Sequence, residues 1–412
     1  MNNDLSLLGA DFFSLNRTKL KQAFGGTAPI VVAANALLQR SADGAYPFTQ
    51  DSNFWYLSGL TEPGLVLVIE NDKEYLIAPK ANQIKDTFEG AFDFNAARQI
   101  SGVSDVVTYE EGWKRLDKRI KKVKHIAMVK PPERYIEQLQ MFTNPAKAAL
   151  VQRLMLINPE LKLIDIRGHL TRLRSLKTTE EIDAIKRAIS ETRRLFTAMN
   201  KVYKTAANEA DVMAEITKLV IKRHTEFAYE PIIASGKNAL ILHYTANAAA
   251  IDQNLPLLLD VGAKVGGYAA DVTRTVCPFP SKRTQKVYQA VKSVQQYALE
   301  LIKPGAILSA CEVQVQQFMG EKLRELGLIK SISQASVREF YPHATSHFVG
   351  IDTHDPGDYS APLAEGMVLT VEPGIYIPSE NIGIRLEDTV LVVKRGHKNL
   401  SASIPMEIDR LA

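Results

Sequence analysis

"LLLDVGAKVGGYAADVTRT", residues 257–275, reads as two buried strands joined by a glycine turn, yet each strand carries an aspartate, Asp260 and Asp271, where an apolar residue is expected. An unpaired ionised carboxylate taken out of water is costly, and it usually shifts its pKa and neutralises instead. Two side by side repel as well. Arginine partners, backbone donors or a metal ion could compensate. If Lys264–Gly267 forms a four-residue loop with Ala263 paired to Tyr268, Asp260 sits directly opposite Asp271, with Cβ atoms about 4.5–5.5 Å apart. A two-residue Gly266-Gly267 turn shifts the register by two and keeps both acids on the same face. In either register two carboxylates converge, and a cation between them is expected. Arg274, the nearby alternative partner, falls on the other face from Asp271 in an extended strand.

The same pattern returns further along the chain. "VEPG" (371–374) and "LEDT" (386–389) repeat "LDVG" and "ADVT" in the same order. Glu372 and Glu387 therefore take the parts of Asp260 and Asp271 in a second hairpin-like unit. Two such units related by a pseudo-twofold would aim four carboxylates at one point. Between them lies "HATSHFVGIDTHDPG" (343–357), with His343, His347 and His354. Four carboxylates and an imidazole make a hard, oxygen-rich donor set that suits Mn²⁺ and tolerates Zn²⁺, Co²⁺ or Fe²⁺, while the absence of thiolates argues against a structural zinc. Five ligands exceed the needs of one ion, so two ions about 3.5–4 Å apart fit the count.

Length and composition bound the rest. A chain of 412 residues points to two domains, and its composition is that of an ordinary soluble globular protein. No apolar run approaches the roughly 18 residues of a membrane span. The start, "MNNDLSLLGADFF", lacks a basic region followed by a long apolar stretch, and Cys277 and Cys311 form no metal or redox motif; a cytoplasmic protein with reduced thiols is expected. The basic run "KRLDKRIKKVKH" (114–125) carries Leu116, Ile120 and Val123 at helical spacing. It reads as the solvated face of a surface helix, because no aromatic residues interleave to stack on nucleic acid. Neither nucleic acid nor membrane is an expected partner.

The first part of the chain alternates strand-like runs, "PIVVAANA" (29–36), "GLVLVIEN" (64–71), "KEYLIAPK" (73–80) and "HIAMVKPP" (125–132), with helix-like stretches, as an α/β domain would. A second beginning appears at "LKTTEEIDAIKRAISETRRLF" (176–196), where Thr178 and Glu181 have capping-box spacing and Ile182, Ile185 and Ile189 follow at helical period. The expected domains are 1–173 and 174–412.

These motifs converge on one family. His343, Ser346-His347, Gly350 and His354-Asp355, with "ILHYTAN" around His243, "GMVLTVEPGIY" and "GIRLEDT", resemble the signature of the pita-bread metallopeptidases, among them aminopeptidase P and prolidase. "QDSNFWYLSGLTEPG" (50–64) resembles the corresponding stretch of aminopeptidase P. Two departures, Ala344 for the usual glycine and Thr353 for Val or Ile, bear on the substrate loop and touch no ligand. The resemblance implies a creatinase-like α/β domain followed by a pita-bread α+β catalytic domain with a pseudo-twofold repeat. It implies Asp260, Asp271, His347, Glu372 and Glu387 as ligands of two divalent ions, with Asp271 and Glu387 bridging. Glu372 would also act as general acid/base for an attacking metal-activated hydroxide, His243 and His354 would face the substrate, and His343 and Arg385 would support the ligands. The implied activity is release of the N-terminal residue before proline, from a peptide with proline at position two, by a homodimer or homotetramer. Prolidase, cutting Xaa-Pro dipeptides, is the alternative. Metal-free creatinase-like relatives and binding proteins stand further off, because here all five ligand positions are filled.

Overall fold

Four apolar runs become the middle of a sheet. In the computed structural model, which describes residues 8–130 and 138–411, the runs form strands Ile30–Ala33, Val66–Ile69, Glu74–Ile77 and His125–Met128. With Val106–Val107 and Lys162–Asp165 they make a six-stranded mixed sheet. Ile30–Ala33 runs antiparallel to Val66–Ile69 and parallel to His125–Met128. Helix Tyr109–Ile120 turns Trp113, Leu116 and Ile120 inward and leaves Lys114, Arg115 and Lys118 exposed, so the basic run is a solvated helix face. In "QDSNFWYLSG", Asp51 caps helix Ser52–Ser58 through the Phe54 N–H and accepts Lys147 at 2.6 Å. Gln50 accepts the Asn35 N–H at 2.9 Å and donates to the Leu60 and Glu62 carbonyls, and Phe54 and Tyr56 are core residues. That stretch is a structural clasp of its own unit.

Contacts divide the chain between Leu173 and Arg174. In the second unit, Thr178 and Glu181 close a capping box at the start of helix Thr179–Val202, which buries Ile185, Ala188 and Ile189. Strand Leu257–Asp260 lies between Ile232–Ser235 and Thr273–Val276, antiparallel to both. Beyond Asp260 the hairpin continues as Ala263–Val265 against Tyr268–Ala269.

The register is the one set by the two-residue turn. Val265 pairs with Tyr268 around Gly266 and Gly267, at φ 56° and 81°, and Asp260 pairs with Thr273. Two adjacent glycines supply the left-handed pair of residues whose twist matches the strands, so the four-residue loop is not adopted. Asp260 and Asp271 are thus diagonal neighbours on one face and not directly opposed.

The second hairpin follows the same plan. Val368–Val371 pairs with Asp388–Val392, which also holds His397–Asn399, and Gly374–Ile377 pairs with Ile382–Arg385. Val371 opposite Asp388 and Gly374 opposite Arg385 bracket Glu372 and Glu387, which stand across from each other. The two hairpins are stitched by the threonines of the repeat. Thr273 donates its hydroxyl to the Glu387 carboxylate at 2.7 Å, and Thr389 donates its own to the Asp271 carbonyl at 2.6 Å. Each acid-x-Thr motif therefore secures the acid of the other hairpin. Arg274 pairs with Asp388 at 2.7 Å, away from Asp271.

Candidate metal centre

Each acid sits where its strand ladder is interrupted. Asp260 ends one strand, Asp271 precedes the next, Glu372 follows Val371 and Glu387 precedes Asp388. His347 reaches the same point from the loop before Val368–Val371. Its backbone is clamped to that strand by Thr370 N–H to the His347 carbonyl at 2.9 Å and by His347 N–H to the Thr370 hydroxyl at 3.1 Å. Ring Nδ1 lies 3.1 Å from the Phe348 carbonyl, which can only accept, so Nδ1 carries the proton and Nε2 is turned to the acids.

Asp271, His347 and Glu387 offer ligand atoms that all lie within 4.8 Å of one another. The His347 Nε2 atom is 3.3 Å from Asp271 Oδ2 and 3.2 Å from Glu372 Oε1. Asp260 adjoins this group but is held by Arg385 at 2.6 Å and by the Tyr229 hydroxyl at 2.5 Å. All nine residues singled out from sequence line one cavity of about 680 Å³.

The electrostatics match the crowding. Burial, only partly offset by Arg385 and reinforced by Asp271, pushes Asp260 up; burial and the Asp271 charge push Glu387 well up. Burial also lifts Glu372 to about 7 against the opposing charge of His347. For His347, burial alone would lower the pKa, but the hydrogen bond to Asp271 and the charge of Glu372 outweigh it and raise it to about 9. Carboxylates whose ionised forms are disfavoured by burial and mutual repulsion, beside an imidazole, are the donor set a hard divalent cation satisfies. The residues fit such an ion.

Around them stand the supporting groups. Arg385 donates to the Tyr376 oxygen at 3.0 Å, and Tyr376 meets His343 Nε2 at 2.9 Å while His343 Nδ1 lies 2.9 Å from the Ala344 carbonyl. Burial and the Arg385 charge push His343 down to about 3, so it is neutral. His354 stacks on His347 with ring centroids 4.1 Å apart; burial and that neighbour lower it to about 4. Its successor, Asp355, is buried against Arg174 at 2.7 Å and Lys177 at 3.0 Å. Burial would raise Asp355, but the two cations hold it below the ordinary range. A Cβ on Gly350 would lie 2.4 Å from the Asp355 carboxylate, so glycine there makes room for this anchor. His243 is exposed on the segment before Leu257–Asp260.

From sequence alone Tyr229 and Tyr376 read equally well as pocket-lining or core residues; both are hydrogen-bonded parts of the site. The sequence does not mark Arg174 and Lys177 as anchors of the His354 loop, although "LKTTEE" places Lys177 beside a recognised helix start.

A pH dependence follows for the metal-free protein. Folded Glu372 keeps its proton up to about 7 against an ordinary 4.5, and folded His347 to about 9 against 6.5. Across each window the folded chain binds a proton the unfolded chain lacks, so the stability is present at low pH and is lost as pH rises through the folded value. Below about pH 6.5 the neutral His343 and His354 bind fewer protons folded than unfolded and offset Glu372, so the melting temperature of the metal-free protein should fall most clearly from about pH 7 to about pH 9, as the His347 proton is lost. A melting temperature that rises over this range would contradict the assignment.

Residues 183–394 match metallopeptidase family M24, and residues 13–128 match the aminopeptidase P N-terminal domain. The chain belongs to metallopeptidase family M24. Among its relatives, it is 31% identical to the Xaa-Pro aminopeptidase of Escherichia coli K12 over 97% of both chains. It is 30% identical to human Xaa-Pro aminopeptidase 3, over 96% of this chain and 84% of that one. Its structure is similar to that of E. coli aminopeptidase P with the inhibitor Pro-Leu (TM-score 0.87, 27% identity, 98% and 97% covered). Proline aminopeptidase P II from Yersinia pestis is also similar (TM-score 0.83, 28% identity, 98% of each). The resemblance read from the motifs is the relationship found.

Proposed function

We propose that this protein is a metal-dependent Xaa-Pro aminopeptidase that releases the N-terminal residue preceding proline. The observation that carries the reading is the convergence of Asp271, His347 and Glu387, with Glu372 and Asp260 adjoining, in one cavity of a chain similar throughout to Xaa-Pro aminopeptidases. Those five residues would hold two divalent ions, Mn²⁺ by the hardness of the donors. Bound there, the ions would acidify a water and polarise the scissile carbonyl.

The chain's own groups do the rest. Glu372, half-buried beside the cluster, accepts a proton from the attacking water and returns it to the leaving nitrogen. His354, neutral at pH 7, offers a hydrogen bond on the substrate side, and exposed His243 meets the peptide from the cavity rim. Through Tyr376 and Asp260, Arg385 holds His343 and one acid in place while balancing negative charge. A proline amide lacks an N–H and has a fixed φ, which lets a shaped pocket select it.

Cys277 and Cys311 are buried free thiols, which accords with a reducing, cytoplasmic setting. No helix among the described residues is long and apolar enough to cross a membrane. A homodimer or homotetramer belongs to the same reading and is checked by light scattering.

The test is a metal-titrated assay comparing Xaa-Pro dipeptides with longer Xaa-Pro-Yaa peptides. Cleavage of the longer peptides after residue one supports the reading; turnover of dipeptides alone would make it a prolidase. The histidines divide in a second experiment. His354→Ala should lower kcat and kcat/KM with metal content near wild type, whereas His347→Ala should lose metal. Metal loss in the first variant, or full metal in the second, would reverse these roles.

A further inference from the structure

Glu209 is fully buried at the first residue of helix Glu209–Lys222. Its carboxylate collects four donors. Oε1 accepts the Ser235 N–H at 2.8 Å and the Asn238 amide at 3.0 Å. Oε2 accepts the Tyr244 hydroxyl at 2.8 Å and the Ala249 N–H at 2.9 Å. The Glu209 N–H returns a bond to the Ala249 carbonyl at 2.9 Å, and the positive end of the helix favours the anion.

What those donors share is the segment they bracket. Ser235 to Ala249 contains Leu242, His243 and Thr245, all lining the cavity of the metal cluster. After the short 3₁₀ turn Gly236–Leu240 this segment has no strand ladder to fix it, and His243 itself is exposed. Its conformation therefore depends on side-chain anchors. Asn247, at φ 45°, supplies one by accepting the Ile233 N–H at 2.9 Å, and Glu209 supplies the other from beneath.

We propose that Glu209 is a positioning residue for His243: one carboxylate, accepting from both ends and from the middle of the 235–249 segment, holds the imidazole at the cavity rim. The inference rests on the substrate-side role of His243 proposed above. Glutamine at this position has the same shape but turns one acceptor oxygen into a donor facing two donors. At least one buried donor loses its partner, and the segment loosens.

The experiment is a double-mutant cycle of Glu209→Gln and His243→Ala, read as kcat/KM on an Xaa-Pro-Yaa tripeptide at full Mn²⁺ loading, with amide hydrogen exchange on each variant. Glu209→Gln should lower kcat/KM about tenfold or more, with metal content unchanged and faster exchange at Ser235 and Ala249. Combined with His243→Ala it should cost nothing further, because the anchor acts only through that histidine. A purely structural role would multiply the two losses, and that result, or wild-type kcat/KM in Glu209→Gln, overturns the inference. If His243→Ala itself keeps wild-type kcat/KM, the role of His243 fails and this inference with it. A damaged His243→Ala beside an intact Glu209→Gln overturns this inference alone. Should Glu209→Gln not fold, Tyr244→Phe, which removes a single donor, carries the same comparison with a smaller loss.

Discussion

Asp271→Ala should abolish peptide cleavage and release metal while leaving the fold standing. Asp271 lies 3.3 Å from His347 and belongs to the group whose ligand atoms are within 4.8 Å of one another. Losing an outer partner of a metal ligand typically costs about 10–100-fold, so losing a ligand should cost more than about 100-fold. The fold should survive because the metal-free cluster is electrostatically crowded. The Asp271 charge is among the causes that raise Glu387 and Glu372, and removing it relieves that repulsion. That relief offsets the lost hydrogen bond to His347, so metal-free Asp271→Ala should unfold close to metal-free wild type. The two proteins should separate only when Mn²⁺ is added, since an ion that binds the folded state alone stabilises it in proportion to the logarithm of its concentration over Kd. Calorimetry with and without Mn²⁺ checks this. Equal stabilisation of both proteins by Mn²⁺ would remove Asp271 from the site.

The second large effect concerns what is cut. Peptides with alanine after the first residue should be poor substrates beside their proline counterparts. A pocket shaped to a ring loses about 1–3 kcal/mol for each missing methylene, so discrimination of tenfold or more in kcat/KM is expected. Equal rates on Xaa-Ala and Xaa-Pro bonds, measured on matched tripeptides, would leave a general metalloaminopeptidase.

What could be read from the sequence follows the range of the interactions. The acids were legible because an aspartate inside a buried strand violates the local pattern, and because "LEDT" repeats "ADVT". The start of helix Thr179–Val202 was legible because a capping box is closed within four residues. The register around Gly266-Gly267 was open, since both loop lengths keep the two acids on one face and only the glycine conformations decide. Tyr229 and Tyr376 were ambiguous for a different reason. A tyrosine in an apolar stretch looks the same whether its hydroxyl faces a carboxylate or the core, and the partner of Tyr229 lies 31 residues away. The cations that anchor Asp355 come from nearly 180 residues earlier, at separations of 181 and 178. No local pattern announces such a contact. Glu209 was silent altogether, because two of its four donors are backbone N–H groups that any residue provides.

Bound metal is the most direct test of this site. Protein stripped with a chelator and dialysed should be inactive on an Xaa-Pro-Yaa tripeptide. Added Mn²⁺, counted by elemental analysis against chain concentration, should restore activity that reaches its plateau at two ions per chain. Full activity in protein holding no stoichiometric divalent metal would contradict the account at its centre.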